Sequence, residues 1–296
     1  MRQKWFFKIV IMLLIISVGG AVLAQRGGRG GAGRGGGGRG RGGGFGGGFG
    51  GGLGLGDQLP ANRNGIPTWN VDPHFKSDIF TFVRIEYDSY GGRGNSWRTD
   101  WPDSDLNFPF RLQQMTSMKV NPNSISMRLT DPELFNYPFI YMLEVGGLGF
   151  STEEVEALRR YCFNGGFLMV DDHWGLYEQA NFRREILRVF PDRDLKELDI
   201  SHPIFHCVFD LKAKPQVPGI NTWEGGRRTW ESSDDREPHY RAIYDDKGRM
   251  MVLQCANTDL GDGWEREGVN EEYFHMFSEK QAYPMAINIV FWAMTH

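Results

Sequence analysis

The sequence predicts an α/β fold in which a mainly parallel sheet is flanked by helices and followed by a late β-hairpin and a C-terminal helix. Between residues 139 and 189, short apolar segments alternate with segments of helical periodicity, and the links between them are short. This alternation is typical of parallel strands joined by crossover helices. In addition, residues 139–143 and 167–170 are almost continuously apolar, as expected for strands that are covered on both faces.

Three elements are predicted before this alternating region. Residues 79–85 are rich in β-branched and aromatic side chains and predict the first strand, whereas the glycine-rich residues 91–95 predict a loop. Residues 106–118 predict a helix with Pro109 near its start, and residues 124–129 predict a short strand.

Local sequence signals indicate where the helices of the alternating region begin and end. Ser151 and Glu154 have the spacing of a capping box, which predicts a helix N-terminus, and residues 164–166 (Asn-Gly-Gly) predict the end of that helix. A second helix is expected over residues 177–189, with Pro191 just beyond it.

The C-terminal third predicts a hairpin and one helix. Residues 240–244 and 250–253 are apolar segments on either side of a polar turn, which is the pattern of a β-hairpin. Residues 281–295 carry Ala286, Ile289, Val290 and Ala293 at helical spacing and predict an amphipathic helix.

The N-terminal part of the chain has the composition of a targeting segment and a tether. A basic start, an apolar run over residues 9–16 and the small residues of 22–24 predict a secretory signal peptide over residues 1–24. The alternative is an uncleaved anchor, although about 20 apolar residues usually form a span. Residues 25–74 are predicted as a disordered tether and lead-in, because residues 26–56 contain 21 glycines and five arginines. Residues 75–296 are predicted as one globular domain. Because of the predicted signal peptide, we expect the protein to be exported to the periplasm, cell envelope or medium.

The charge is distributed unevenly along the chain. Residues 1–56 hold eight basic and no acidic residues, which leaves 25 basic and 37 acidic residues for the rest. An acidic domain disfavours nucleic acid as a partner, because neutralisation of phosphates dominates that affinity. An acidic domain is compatible with a carbohydrate or another envelope component as its partner. The Gly/Arg tether is interpreted as a flexible spacer or as an adhesive segment for an anionic surface.

The cysteines Cys162, Cys207 and Cys255 lie in apolar surroundings and outside any Cys-x-x-Cys pair. Three small buried side chains are expected. One disulfide with a free thiol is the alternative that export would permit.

The candidate site is predicted at the carboxyl ends of the parallel strands, where open α/β sheets bind their ligands. Asp171, Asp172 and His173 follow the apolar segment 167–170 and are the candidate catalytic residues. Clustered acids and a histidine can bind a metal or act as general acid and base. Candidate ligand-binding residues at strand ends and in nearby loops are Glu86, Arg98, Asp100, Trp101, Glu144, Trp174, His202, His206, Asn257, Asp259, Asp262 and Trp264. Trp174 and Trp264 are expected as apolar walls for a sugar ring.

Each of these residues also has a structural interpretation. Asp172 can cap the helix that follows it, and His202 can be a turn residue before Pro203. Asp259 and Asp262 flank glycines and suit a tight turn. The sequence does not indicate which metal or cofactor the site would hold.

Several motifs resemble the family called domain of unknown function 4159. They are Phe80-x-x-Val83-Arg84, Trp101-Pro102-Asp103, residues 164–168, Asp171-Asp172, residues 202–205 and residues 257–262. The resemblance covers about residue 75 to the C-terminus. It implies a flavodoxin-like fold related to class I glutamine amidotransferase-like domains, and it implies no established activity. Those enzymes carry a nucleophilic cysteine on a turn that here holds Asp171, Asp172 and His173, so glutamine hydrolysis is not expected.

Two functions are compatible with these observations. The first is a non-catalytic binding or assembly module of the cell envelope, which the missing nucleophile and the tether favour. The second is a hydrolase-like or metal-assisted enzyme acting on a carbohydrate or related small molecule, which the acidic cluster favours. Similarity to trehalose-utilisation-type relatives of the same fold suggests carbohydrate ligands, although a shared fold does not determine function.

Overall fold

A computed structural model describes residues 59–75, 78–90 and 96–296 of the chain. The predicted signal peptide, most of the predicted tether and the loop predicted over residues 91–95 lie outside the described residues. Residues 59–74, the last part of the predicted lead-in, contact the domain. The Trp69 indole donates a hydrogen bond to the carbonyl of Val120 (2.7 Å), and Arg63 donates one to the carbonyl of Pro122 (2.7 Å).

A seven-stranded sheet forms the centre of the fold, in the spatial order β4-β2-β5-β6-β9-β8-β7. The first five of these strands are parallel, and β8 and β7 add antiparallel at one edge. Their bounds are β2 Val83–Glu86, β4 Ile125–Arg128, β5 Phe139–Leu143, β6 Phe167–Asp171, β7 Lys196–Glu197, β8 His239–Tyr244 and β9 Met250–Ala256. The parallel strands thus follow the order 2-1-3-4-5 when counted along the chain, which is the order of flavodoxin-like folds.

The predicted first strand is two strands in the structure. Residues Ile79–Phe80 form β1, which pairs with β3 (Lys119–Val120) in a separate two-stranded sheet. Residues Val83–Glu86 form β2 of the main sheet. Apolar composition alone does not reveal this break, because Phe82 between the two strands is also fully buried. The strand predictions at 124–129, 139–143 and 167–170 and the hairpin prediction are confirmed.

Helices cover both faces of the main sheet. Their bounds are α1 Asp103–Met115, α2 Thr152–Phe163, α3 Gly175–Val189, α4 Ile220–Gly226, α5 Leu260–Glu265, α6 Glu271–Tyr273 and α7 Tyr283–Thr295, with a π-helix over Phe274–Ala282. The capping box of α2 is confirmed: Ser151 Oγ accepts from the Glu154 amide (3.1 Å), and Glu154 accepts from the Ser151 amide (2.8 Å).

Helix α1 begins three residues earlier than predicted and contains Pro109 in its interior. A proline there removes a helical N–H, so the carbonyl four residues before it loses its donor. That carbonyl belongs to Asp105, and the hydroxyl of Ser124 donates a hydrogen bond to it instead. The substitute donor explains why the helix continues through a proline.

The C-terminal helix differs from its prediction. Residues 282–290 are all buried, so the first half of α7 is covered on every side rather than along one stripe. This half packs in the same core cluster as Phe205, Tyr240 and Trp264. A helix that is apolar all round lies inside a protein, which the helical spacing of four apolar residues could not distinguish from an amphipathic surface helix.

Two hydrophobic cores result, one on each face of the sheet. Side chains such as Ile140, Leu168 and Phe182 pack in the core beneath α2 and α3. Side chains such as Tyr141, Met169 and Leu253 pack in the core beneath α1, α5 and α7. No helix in the described part of the chain is long and apolar enough to span a membrane.

Candidate functional site

Three neighbouring strands end in the same unusual backbone conformation. Glu144 after β5 (φ 52°), Asp172 after β6 (φ 47°) and Asn257 after β9 (φ 56°) all have left-handed conformations without being glycine. Amide hydrogen bonds link the three turns: Glu144 to the Asp172 carbonyl (2.9 Å), Asp172 to the Thr258 carbonyl (3.2 Å) and Asn257 to the His173 carbonyl (3.0 Å). Such conformations cost about 1–3 kcal/mol each and cluster at functional sites.

Carboxyl groups gather beside these turns. Asp100, Asp172 and Asp259 each place an oxygen within 4.8 Å of the others, and all three residues are buried. Asp100 does the same with Asp262 and Glu265. We call these five residues the acidic cluster. It lies at the carboxyl edge of the parallel strands, where the sequence predicted a site.

Three acids of the cluster have hydrogen-bond partners on neighbouring segments. The indole of Trp174 donates to Asp172 Oδ1 (2.9 Å). Asp259 precedes α5 and caps it, because its Oδ1 accepts from the Asp262 amide (2.6 Å). Asp262 accepts from the hydroxyl of Tyr273 (3.3 Å). Asp172 caps no helix: α3 begins after Trp174 without a side-chain cap.

Asp100 reaches the cluster because a buried arginine holds its loop. Arg84 on β2 is fully buried and donates to the carbonyls of Trp97 and Thr99 (2.9 Å each), just before Asp100. Its Nε lies 3.1 and 3.0 Å from the two carboxylate oxygens of Asp105 on α1. This buried ion pair therefore positions the connection between β2 and α1.

Gly261 allows Asp100 to approach helix α5 closely. A Cβ at this position would lie 2.4 Å from Asp100 Oδ2 and 2.9 Å from the hydroxyl of Tyr141. Both distances are shorter than a non-bonded contact permits. Asp100 Oδ2 is buried and has no hydrogen-bond partner among the described residues.

Asp171 lies at the inner side of the cluster. Its Oδ2 accepts from the Gly261 amide (3.0 Å) and the Tyr141 hydroxyl (3.2 Å). Its Oδ1 is buried, and the described part of the chain offers it no hydrogen-bond partner. Burial raises the pKa of this carboxyl to about 7.

Four acids of the cluster, Asp100, Asp172, Asp259 and Glu265, resist ionisation. Burial raises the pKa of Asp100, Asp172 and Asp259 well above the ordinary value, and the neighbouring carboxylates raise it further. The side chain of Glu265 is largely buried, with 14% exposed, and burial raises its pKa to about 7. The guanidinium of Arg266 pairs with Asp262 (3.1 Å) and Glu265 (2.9 Å). Asp262 and Glu265 thus share one guanidinium.

His173 lies apart from the acids despite following them in sequence. Its ring is fully buried, lies 2.8 Å from the side chain of Gln254 and packs against Phe182 at 5.8 Å. The left-handed turn at Asp172 breaks the alternation of the strand, so Asp171 and His173 contact different neighbours. Burial lowers the pKa of His173 to about 4, which keeps the ring neutral at physiological pH.

The other two candidate histidines lie elsewhere. His202 caps a short 3₁₀-helix and lies near Tyr244, which pairs with Met250 at the start of β9. The acidic cluster lies beyond the other end of that strand, about 20 Å away at the rise of a β-strand. His206 is exposed and hydrogen-bonds to Asp210 and to the carbonyl of Ile200 (2.7 Å each).

The remaining candidates lie beside the cluster or have structural roles. Glu144 lies close enough to raise the pKa of Asp172. Asn257 accepts from the Gly175 amide (2.8 Å) and so fixes the start of α3. Trp264 is fully buried and stacks on Phe108 (4.7 Å), so it is a core residue and not the exposed wall that the sequence suggested.

The loop before α1 and the end of β2 supply the last candidates. Arg98 lies over the ring of Trp101 at 4.5 Å, beside Asp100 in the chain. Glu86 accepts from Ser126 on the neighbouring strand (2.7 Å) and belongs to neither carboxylate group of the cluster.

The sequence interpretation missed Glu265 in the cluster and the pair Arg84–Asp105 that supports it. An arginine inside the apolar segment 79–85 was the available signal, because a charge in a buried strand requires a partner. Glu265 carries no comparable signal. It follows Trp264 in a short helix that the sequence did not predict.

The thiols do not form a nucleophilic site. All three cysteines are free, and Cys207 is exposed, which corrects the expectation that all three are buried. Cys162 is fully buried on α2, and burial raises its pKa to about 12. Cys255 is fully buried on β9, and burial raises its pKa as well. A thiol with a raised pKa is a poor nucleophile.

The donor set of the cluster consists of carboxylate oxygens. Oxygen ligands suit hard divalent cations such as Mg²⁺, Mn²⁺ and Ca²⁺. The arrangement can therefore hold such a cation, which would also neutralise acids that burial otherwise forces to take up protons.

Comparison with known proteins places the chain in a family. No curated protein is similar enough to match the chain. The model of the family described as domain of unknown function (DUF4159) matches residues 81–294, which include every acid of the cluster and the pair that supports it. The chain therefore belongs to the DUF4159 family.

Proposed function

We propose that this chain is an exported protein whose DUF4159 domain works as a cation-dependent binding or assembly module, with a divalent cation held by the acidic cluster. The observation that carries the proposal is the burial of Asp100, Asp172 and Asp259 together, with an oxygen of Asp100 that the described residues leave unpaired.

A cluster of buried carboxyl groups can be stabilised either by protons or by a cation. Burying an unpaired carboxylate costs several kcal/mol, and like charges a few ångströms apart repel one another. Protonation relieves this repulsion but leaves the acids without a role. A divalent cation relieves it by binding them. Because Asp100 comes from a loop that Arg84 holds in place, the acids are already assembled for a ligand.

The N-terminal sequence and the charge of the rest of the chain support the proposed export and partner. The pattern of residues 1–24 supports a secretory signal, and the Gly/Arg composition of residues 26–56 supports a flexible segment that can touch an anionic surface. The acidic remainder of the chain makes nucleic acid a poor partner. A carbohydrate or another envelope component that offers oxygen ligands to the cation is the partner we propose.

A second function, metal-assisted hydrolysis of a carbohydrate or related small molecule, is favoured by the backbone. Asp100, Glu144, Asp172 and Asn257 are left-handed residues in one region, and such strain concentrates at active sites. A bound cation there would polarise a substrate oxygen or activate water. Relationship to class I glutamine amidotransferase-like domains, which the sequence motifs suggest, would not change this chemistry, because the cysteines lie in the core or at the surface.

The first test is calorimetric titration of the purified full chain with Mg²⁺, Mn²⁺ and Ca²⁺ after chelation and dialysis. Wild type should bind at least one of these ions, and Asp172→Asn should weaken binding by tenfold or more. Asparagine tolerates the left-handed backbone, so the variant removes charge without adding strain. Asp246→Asn is the matched control, because Asp246 is 85% exposed and lies in the turn before β9, at the opposite end of that strand from the cluster.

The two functions give different results in the same samples. Absence of binding to wild type at millimolar ion concentrations would refute both. Binding with turnover of glycosides or related esters, lost in Asp172→Asn, would establish the enzyme. Binding without turnover would support the module, and capture of polysaccharide fractions with and without the ion would then identify its partner.

A further inference from the structure

We infer that the acidic cluster holds two divalent cations, with Asp100 as the bridging ligand between them. The inference rests on the proposed function, because it concerns the same cluster, and it adds the number of ions and the role of each acid. Asp172 and Asp259 would complete the first site, and Asp262 and Glu265 would complete the second.

The geometry separates the acids into two sets that share one member. An oxygen of Asp100 lies within 4.8 Å of oxygens from Asp172 and Asp259, and likewise of oxygens from Asp262 and Glu265. Oxygens at this spacing can share one ion at the bond lengths of about 2.0–2.6 Å found for Mg²⁺ and Ca²⁺. A carboxylate has two oxygens, so Asp100 can give one to each ion.

The position of Asp100 suits a bridge. Its side chain is buried, and its Oδ2 has no hydrogen-bond partner within the described ranges. It approaches α5 over Gly261, at a place where a Cβ would collide with Oδ2. The loop that carries it is fixed by hydrogen bonds from Arg84 to the carbonyls of Trp97 and Thr99. The acid common to both sets therefore has an oxygen available for a second ion.

Charge balance favours two ions over one. Among the five acids of the cluster, Asp262 and Glu265 share the guanidinium of Arg266, which contributes one positive charge. When all five acids are ionised, four negative charges remain, and two divalent cations neutralise them. With a single divalent cation, two of the acids would still have to bind protons to become neutral. Asp171 and Glu144 border the cluster and add no positive charge.

A pair of ions selects a class of ligand. Two cations held about 3.5–4 Å apart clamp the attacking and leaving oxygens in displacement reactions at phosphorus or carbonyl centres. The class of ligand that fits is an oxyanion with two oxygens free to bridge, such as a phosphate ester or a carboxylated sugar. Inorganic phosphate is the simplest probe of this class.

The experiment uses Mn²⁺ and the purified full chain. Two Mn²⁺ ions at this separation couple magnetically, so electron paramagnetic resonance distinguishes a pair from isolated ions. Wild type should bind two ions per chain with a coupled spectrum. Asp172→Asn and Glu265→Gln should each bind one ion with an uncoupled spectrum, and Asp100→Asn should weaken both sites by tenfold or more. Phosphate should perturb the coupled spectrum of wild type and leave the single-site variants unchanged.

The outcomes separate this inference from the proposed function. One ion per chain in wild type would overturn the pair and leave the proposed function intact, whereas no ion would overturn both. Two ions per chain without coupling, or with full occupancy in Glu265→Gln, would also overturn the pair. Should Asp172→Asn fail to fold, Glu265→Gln decides alone, because Glu265 is the most exposed of the five acids.

Discussion

Two groups of buried charge lie side by side at one edge of the sheet, and they differ in how they are neutralised. Arg84 and Asp105 are both buried, and the protein itself supplies every partner: the guanidinium contacts a carboxylate, a hydroxyl and two carbonyls. In the acidic cluster, one arginine, Arg266, pairs with two of the five carboxyl groups. Asp100 has an oxygen without a partner among the described residues.

The difference separates a structural role from a functional one. A satisfied ion pair needs nothing further, and its loss is a loss of stability. An unbalanced cluster is stable only when protons or an external cation complete it, so its properties depend on pH and on ions. The neutral pair also builds the unbalanced cluster, because it positions the loop that carries Asp100.

The largest effect is expected from breaking the balanced pair. Arg84→Met leaves Asp105 buried without its counter-charge and should lower the free energy of unfolding by about 3–5 kcal/mol, measured by urea denaturation. If the variant still folds, the loss should be larger with divalent ions than without them, because a displaced Asp100 also weakens cation binding to the folded state.

A surface pair provides the matched control for that measurement. Arg183 and Asp194 form an ion pair whose side chains are 54% and 48% exposed, so Arg183→Met should change the free energy of unfolding by less than about 1 kcal/mol. Equal effects of the two substitutions would contradict the structural role assigned to Arg84.

The unbalanced cluster should make stability depend on pH in the absence of divalent ions. The pKa of Asp171 is raised by burial from 3.8 to about 7 in the folded protein, so the folded state binds its proton more tightly than the unfolded state. The stabilisation is complete below pH 3.8 and is lost as pH rises through 7. The loss should amount to a few kcal/mol, because each tenfold difference in proton affinity between the two states corresponds to about 1.4 kcal/mol.

Thermal unfolding between pH 5 and pH 8 tests this dependence. The melting temperature of the ion-free protein should fall as pH rises, and saturating Mn²⁺ should remove most of the fall at pH 8 by binding the folded state. A melting temperature that rises over this range in the ion-free protein would show that ionisation of the buried acids does not destabilise the folded state, which would contradict this prediction.

The smallest of the expected effects comes from Gly261. Gly261→Ala places a Cβ against Asp100 Oδ2 and should push that carboxylate out of the cluster. We expect cation affinity to fall by about tenfold, equivalent to about 1.4 kcal/mol, as measured by calorimetry.

Gly225→Ala is the control for this substitution. A Cβ at Gly225 in α4 meets nothing within 4 Å, so alanine there should leave affinity unchanged and stability equal or slightly higher. Similar losses of affinity in both variants would point to a general effect of glycine replacement and not to a displaced Asp100.

The sequence alone determined the fold class and much of the site's location. Strands β5 and β6 and the ends of α2 follow from local signals: continuous apolar segments, a capping box and a glycine stop. Parallel strands align their carboxyl ends, so Asp171 and Asp172 after β6 were expected at the ligand-binding edge. Local patterns suffice for such features because helix hydrogen bonds and caps join residues a few positions apart, and because a strand covered on both faces is apolar along its whole length.

Only the tertiary structure decided which of the candidate residues meet. Asp100 and Asp262 are far apart in the chain, and they approach because β2 and β9 are parallel strands of one sheet and because Gly261 leaves room for the carboxylate. His173, adjacent to Asp172 in sequence, is turned toward Gln254 by a left-handed backbone. Strand order, close packing and backbone rotation depend on contacts between distant segments, so a pattern of residue types along the chain does not contain them.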